Sequence, residues 1–178
     1  YYVFQIQATV TNVAGETQAS TYSLGVGNRS MLLGAEIQNP VCKEDSIKLT
    51  FKATNLDGQP VSVEGNYKLY PVVGGAKSEE VMKGTPAYTC TFVSNKETLL
   101  PGWTSVPSGE YLLVMSAKDD QGREVTGEEE VILFSIKDKR PPVDKAIWYY
   151  AENTSFDAAH PAVFYFGTSK KDAYVMMN

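Results

Sequence analysis

Few residues in this chain could do chemistry, and they lie far apart. There are two cysteines, Cys42 and Cys90, and a single histidine, His160. A nucleophilic Cys–His pair needs the imidazole beside the thiol and a third group to orient it. His160 stands before Pro161 at the start of a strand-like run, distant in sequence from both thiols, and reads as a surface-loop residue. The serines form no Gly-x-Ser-x-Gly elbow. Gly25-Val26-Gly27 lacks the third glycine and the following helix of a dinucleotide fingerprint, and reads as a strand end before a joint. Glu128-Glu129-Glu130 and Glu79-Glu80 offer oxygens without the spacing of a calcium loop, and read as solvated edges that discourage strand addition. No general base, activated nucleophile, metal cluster or phosphate loop emerges. The expectation is a non-enzyme that needs no cofactor.

The thiols and the aromatic residues carry structural expectations instead. Two cysteines are too few for a disulfide framework, and neither belongs to a Cys-x-x-Cys pair. A Cys42–Cys90 bridge would suit an oxidising compartment; two free thiols would suit any. Trp103, Trp148, Tyr149 and Tyr150 could stack on a sugar, whereas Trp148-Tyr149-Tyr150, just after a proline pair, reads as packing at a module joint. Asn28-Arg29-Ser30 and Asn153-Thr154-Ser155 match the glycosylation sequon, a pattern short enough to arise by chance.

The elements that hold these residues are strands. The chain has 178 residues, 43% hydrophobic and 21% charged, which is ordinary globular usage. Its net charge of −5, with scattered basic residues, argues against a nucleic-acid partner, which requires a concentrated positive face. No apolar run is long enough for a transmembrane helix. With no signal peptide and no initiator Met, the chain reads as a mature or excised product. Apolar residues alternate with polar ones in Phe4-Ile6-Ala8-Val10, in Ile47-Leu49-Phe51 and in Tyr111-Leu113-Met115-Ala117, the period of half-buried strands. Asp57-Gly58 and Gly74-Gly75 are hairpin signals. Between Val81 and Trp103 only an edge strand near Tyr88–Val93, followed by a loop, is legible. The expected fold is all-β, an immunoglobulin- or fibronectin-like antiparallel sandwich.

A repeat divides the chain. A shift of 107 residues puts Phe4 on Tyr111, Ile6 on Leu113, Gly15 on Gly122, Leu24 on Val131 and Val26 on Leu133. A weaker echo links the segment Ser46 to Phe51 with Pro161 to Phe166. Residues 1–27 therefore read as the closing hairpin of one sandwich and 28–137 as a complete one of about seven strands. Residues 138–142 read as a charged, doubly prolyl linker, and 143–178 as the opening strands of a further module.

These residues also resemble a known family. Tyr2 to Gln18, with its Thr11-Asn12-Val13-Ala14-Gly15-Glu16-Thr17 turn, resembles the closing hairpin of a macroglobulin domain. Leu100 to Tyr111, through Asp119-Asp120-Gln121-Gly122, looks like the same element in the next domain. Thr154-Ser155-Phe156, Pro161 to Ser169 and Asp172-Ala173-Tyr174-Val175 are similar to the opening of a third. The resemblance, to bacterial alpha-2-macroglobulin-like proteins, covers nearly the whole chain and rests on strand-and-turn patterns. It implies tandem macroglobulin-type domains in an extracytoplasmic protein, periplasmic, outer-membrane-anchored or secreted. Such a protein traps proteases, so the partners would be neighbouring modules and, through the full-length molecule, target proteases. The family's thioester motif, Cys-x-Glu-Gln, is departed from here: Cys42-Lys43-Glu44-Asp45 has Asp where Gln must lose ammonia. No thioester is expected. The competing reading is a carbohydrate- or adhesion-binding sandwich of a cell-surface protein.

Overall fold

A computed structural model describes residues 2–152, 155–174 and 176. The sequon at Asn153, and Thr154 and Val175 of the third-domain resemblance, lie outside the described residues. Alternation produces strands wherever it was legible. β1 (Tyr2–Thr11) and β2 (Thr17–Val26) form an antiparallel ribbon joined at an Asn12–Glu16 turn. The Asn12 side-chain oxygen accepts the backbone N–H groups of Ala14 and Glu16, and Gly15 takes φ +83°. An L side chain rarely adopts that angle, so glycine is the residue the turn requires.

The next eight strands build a sandwich. β3 (Met31–Ile37), β5 (Lys48–Asn55) and β8 (Glu97–Leu99) form a three-stranded antiparallel sheet, in the order β3-β5-β8. The facing sheet runs β4-β10-β9-β6-β7. Its strands are β4 (Val41–Cys42), β6 (Glu64–Pro71), β7 (Tyr88–Val93), β9 (Gly109–Lys118) and β10 (Glu124–Phe134). All of its pairings are antiparallel except the short β4–β10 contact. A one-turn helix, α1 (Ser78–Val81), lies on the outer face of the larger sheet, where Val81 packs with Tyr70 and Leu112. Beyond it, β11 (Trp148–Ala151) and β12 (Phe164–Gly167) form a final two-stranded sheet.

One core joins the two large sheets. Leu49, Phe51 and Ala53 of β5 meet Tyr67 and Leu69 of β6, Leu113 and Met115 of β9, and Val131 and Leu133 of β10. The rings of Phe51 and Phe92 stack at 4.3 Å, and Trp103, in a 3-10 turn (Pro101–Ser105), closes the core with no exposed surface. β3 crosses so close to β10 that a Cβ at Gly127 would lie 2.5 Å from the Leu33 carbonyl oxygen. Any larger residue at Gly127 would push the sheets apart.

Two expectations change. The Asp57-Gly58 turn forms, with Gly58 at φ +81°, yet it does not make a hairpin: one bridge, Thr54–Pro60, follows and β6 joins the other sheet. Backbone bonds from Asn55 N to Gln59 O and from Val61 N to Ala53 O flank that bridge, and the Ala53 N–H then turns to Asn95 Oδ1. Asn95 and Ser94 then take the Val61 carbonyl at 2.8 Å each, pinning the crossover. The sandwich also has eight strands rather than about seven, because β4 and β8, at two and three residues, are too short to show a period. The edge strand at Tyr88–Val93 stands where the sequence placed it.

The core predicts where substitutions hurt. Phe51→Ala should cost about 3–5 kcal/mol, the range for a large ring removed from a close-packed interior. Phe4→Ala, on an exposed face, should change the same transition by less than about 0.5 kcal/mol. Urea unfolding followed by Trp103 fluorescence distinguishes the two; equal losses would show that the hairpin and sandwich share one cooperative core.

Candidate functional site

The residues singled out for chemistry do not converge. His160 is exposed in a loop, its Nδ1 3.2 Å from Asp157 Oδ1. Glu128, Glu129 and Glu130 lie along β10 where it pairs with β9 alone, and the Asn39 side chain bonds the outer edge there through Glu130 O and Ile132 N. Among the described residues no cluster of three His, Cys, Asp or Glu side chains could hold a metal ion.

The Cys42–Cys90 bridge is not made: both thiols are free. Cys42 lies on β4 and Cys90 on β7, the two outer strands of the five-stranded sheet. Four interstrand intervals separate those strands, about 19 Å at about 4.8 Å each, far beyond the reach of a disulfide.

Two polar and aromatic constellations instead sit at opposite ends of the sandwich. At the first, Asp119 begins the β9–β10 turn and is almost wholly buried. Its Oδ1 accepts the N–H groups of Gln121 and Arg123, and its Oδ2 accepts Arg123 Nε at 2.9 Å and Ser30 N at 3.4 Å. Arg123 Nη1 donates onward to the Asn28 carbonyl, and Ser30 Oγ to Asp120. Gly25 at the end of β2 lies against Leu56, where a Cβ would come within 2.6 Å of the Leu56 carbonyl oxygen. The segment leaving the hairpin is thus tied to the sandwich by charge on one side and close backbone approach on the other. Burial by itself would raise the Asp119 carboxyl, but the hydrogen bonds from Arg123, Ser30 and Gln121 outweigh it and hold it at about 2.

At the far end, Phe134 closes β10 and meets Trp148 and Tyr150 in T-shaped contacts, with centroids 4.9 and 4.6 Å away. Cys42 and Tyr165 complete this cluster. Beneath it, Glu44 accepts hydrogen bonds from Cys42 Sγ, Ser135 Oγ and Ile136 N, which together pull its carboxyl below the ordinary value against the opposing effect of burial. Burial pushes the Cys42 thiol up to about 11, and the nearby Glu44 and Asp45 charges add to the rise. Of the expected trio, Trp148 and Tyr150 meet Phe134, whereas Tyr149 points away and is 65% exposed. The prolyl segment opens with a tight turn in which Asp138 caps Ser135 N at 2.8 Å, and Pro141 then packs on Gly167. Trp103 is a core residue.

Phe134, Glu44 and the Asp119–Arg123 hub were not singled out in the sequence. Only the hub left a trace, an Asx-x-x-Gly turn with a basic residue just after the glycine. No family model, curated protein or solved structure matches this chain. Among the described residues no helix is long and apolar enough to cross a membrane.

Two measurements follow from these ends. A thiol reagent should label the exposed Cys90 quickly in native protein and Cys42 only after unfolding, because a buried, protonated thiol is a poor nucleophile. Rapid labelling of both would refute the Cys42 environment. The Asp119 carboxyl has a folded value of about 2 against an unfolded one of about 3.9. Its contribution is therefore full above about pH 4 and is lost as the pH falls toward 2. Between those limits the urea midpoint of the natural chain should drop more than that of Asp119→Asn; parallel curves would remove Asp119 as the linkage.

Proposed function

We propose that this chain is a structural and interaction segment of a secreted or periplasmic alpha-2-macroglobulin-like protein. In this reading tandem immunoglobulin- or fibronectin-like sandwiches hold one another in fixed orientation, and target proteases are engaged by the full-length assembly. The observation that carries the modular reading is a pair-for-pair match of two hairpins. β1–β2 pairs Tyr2 with Val26 through Thr11 with Thr17; 107 residues on, β9–β10 pairs Gly109 with Leu133 through Lys118 with Glu124. Their turns match bond for bond: Asn12 and Asp119 each accept two backbone N–H groups, and Gly15 and Gly122 both have positive φ.

The sandwich type is supported by Tyr111, whose hydroxyl donates to the Pro107 carbonyl at 2.9 Å. That bond, from a tyrosine near the start of a strand to the backbone a few residues upstream, is a hallmark of Greek-key sandwiches of this kind. The work assigned to the chain is positional. A buried charge hub fixes the entering segment, and three aromatic rings fix the leaving one. Of the trio weighed as a sugar platform, Trp148 and Tyr150 are spent on packing against Phe134.

An antiserum raised against this chain tests the reading in the source cells. It should detect a product several-fold larger than 19.6 kDa in the extracytoplasmic fraction. A product of that small size, or one confined to the cytoplasm, would overturn it.

A further inference from the structure

The sandwich has an outer strand at each edge of its two sheets: β3 and β8 in one, β4 and β7 in the other. Three of these are guarded. β4 and β8 are two and three residues long, too short to template another strand. β3 crosses against β10, with Leu33 over Gly127. β7 is different. It runs for six residues, Tyr88-Thr89-Cys90-Thr91-Phe92-Val93, with no charge and no proline. It lies three places across the sheet from β10, which carries the Phe134 anchor. Its free side is therefore set by the sandwich's own strand order, whatever precedes or follows the segment.

The register fixes which backbone groups face that free side. Ser94 N bonds Val63 O, the step beyond the Glu64–Val93 pair. Bonded pairs alternate along an antiparallel ladder, so Phe92, Cys90 and Tyr88 also direct their N–H and C=O groups inward to β6. The other side of β6 agrees: Val72 N bonds Glu110 O, so the even-numbered residues of β6 serve β9 and leave the odd ones for β7. Thr89, Thr91 and Val93 thus present their N–H and C=O groups outward, where β7 has no neighbouring strand among the described residues. Thr89, Cys90 and Thr91 are all exposed. Tyr88 and Phe92 pack toward the core, so Cys90 between them projects on that same face, at its rim.

This edge is complementary to itself. An antiparallel copy turned about a two-fold axis at Cys90 sets Thr89 opposite Thr91 and Thr91 opposite Thr89. Each outward N–H of one then meets an outward C=O of the other. The threonines pair across the outer surface, and no charge in the strand opposes another. Cys90 meets Cys90 as a non-hydrogen-bonded pair, with Cα atoms about 4.5 Å apart, inside the range of about 4.4–6.8 Å that a disulfide spans.

We infer that β7 is an interaction edge whose partner is β7 of a second copy, paired antiparallel about Cys90. The contact is isologous, so it closes as a dimer and joins the two five-stranded sheets into one. The inference rests on the geometry of the sandwich and is independent of the proposed function.

Sedimentation velocity and thiol oxidation test it. Under reducing conditions the natural chain should show a monomer–dimer equilibrium that shifts with concentration. Diamide, which takes two electrons and two protons from a pair of thiols as the S–S bond forms, should then link the dimer through Cys90. Cys90→Ser should dimerise without being linked. Thr91→Pro deletes an outward N–H and no bond within the sandwich, as edge strands tolerate. It should shift the equilibrium to monomer and slow the linkage about tenfold or more, because each dimer loses a bond at both Thr91 positions. A second variant, with Thr89→Lys and Thr91→Lys together, opposes like charges in each pair and should act the same way, which keeps the test open if the proline variant does not fold. An unchanged Trp103 unfolding transition verifies that each variant is intact. A natural chain that stays monomeric would overturn the pairing. So would linkage of the variants at the natural rate, which means chance collision, or a dimer that diamide cannot link, which means another register or surface.

Discussion

Everything in this structure depends on an apolar sheet face finding a cover. A strand pair has one face that water does not favour, and burial of that face on a second sheet is the main source of stability in an antiparallel protein. In the sandwich the requirement is met. Tyr111, Leu113 and Met115 from one sheet close on Leu49, Phe51 and Ala53 from the other, and Gly127 allows the approach. In the terminal ribbons the same residue types occur at equivalent positions with nothing laid over them among the described residues. One sequence pattern therefore recurs in the finished core and in the strand pairs on either side of it.

The two ends of the sandwich solve one positional problem with different physics. At the entering end, the directional element is a carboxylate that accepts bonds from the turn, from Arg123 and from Ser30. Such a contact specifies geometry sharply because an unsatisfied buried acceptor is costly. At the leaving end, rings set edge to face on Phe134 supply area with only a mild angular preference. Glu44 stiffens that end by gathering donors from β4 and from the Ser135 turn. Cys42 contributes packing there, and its suppressed ionisation accords with a structural thiol.

Much of the fold was legible because alternation and Asx-Gly turns are local signals. The faces of β5 and β9 could be read residue by residue, and the repeat offset matched the strand register without a slip. What escaped was set by tertiary contact. β4 and β8 are held by their neighbours and are too short to carry a period. The Asp57-Gly58 turn has the chemistry of a hairpin, but the Ser94–Asn95 clasp takes the groups that would continue the ladder and the chain passes to the opposite sheet. Pairing Cys42 with Cys90 required knowing that they occupy opposite edges of one sheet, which spacing along the chain does not encode. Trp148 and Tyr150 were legible as packing residues, whereas their acceptor, Phe134, looks in sequence like any strand-end aromatic.

The brief parallel contact between β4 and β10 has a mechanical consequence. Val41 and Cys42, near the start of the sandwich, lie alongside Leu133 and Phe134 at its end, and the two strands run the same way. Tension that draws the entering and leaving segments apart therefore pulls these strands past one another along their length. The bonds across them are loaded together, in shear, instead of being opened one after another. A contact of two residue pairs, slight beside the seven that hold β3 to β5, resists in this way once force has passed through β3.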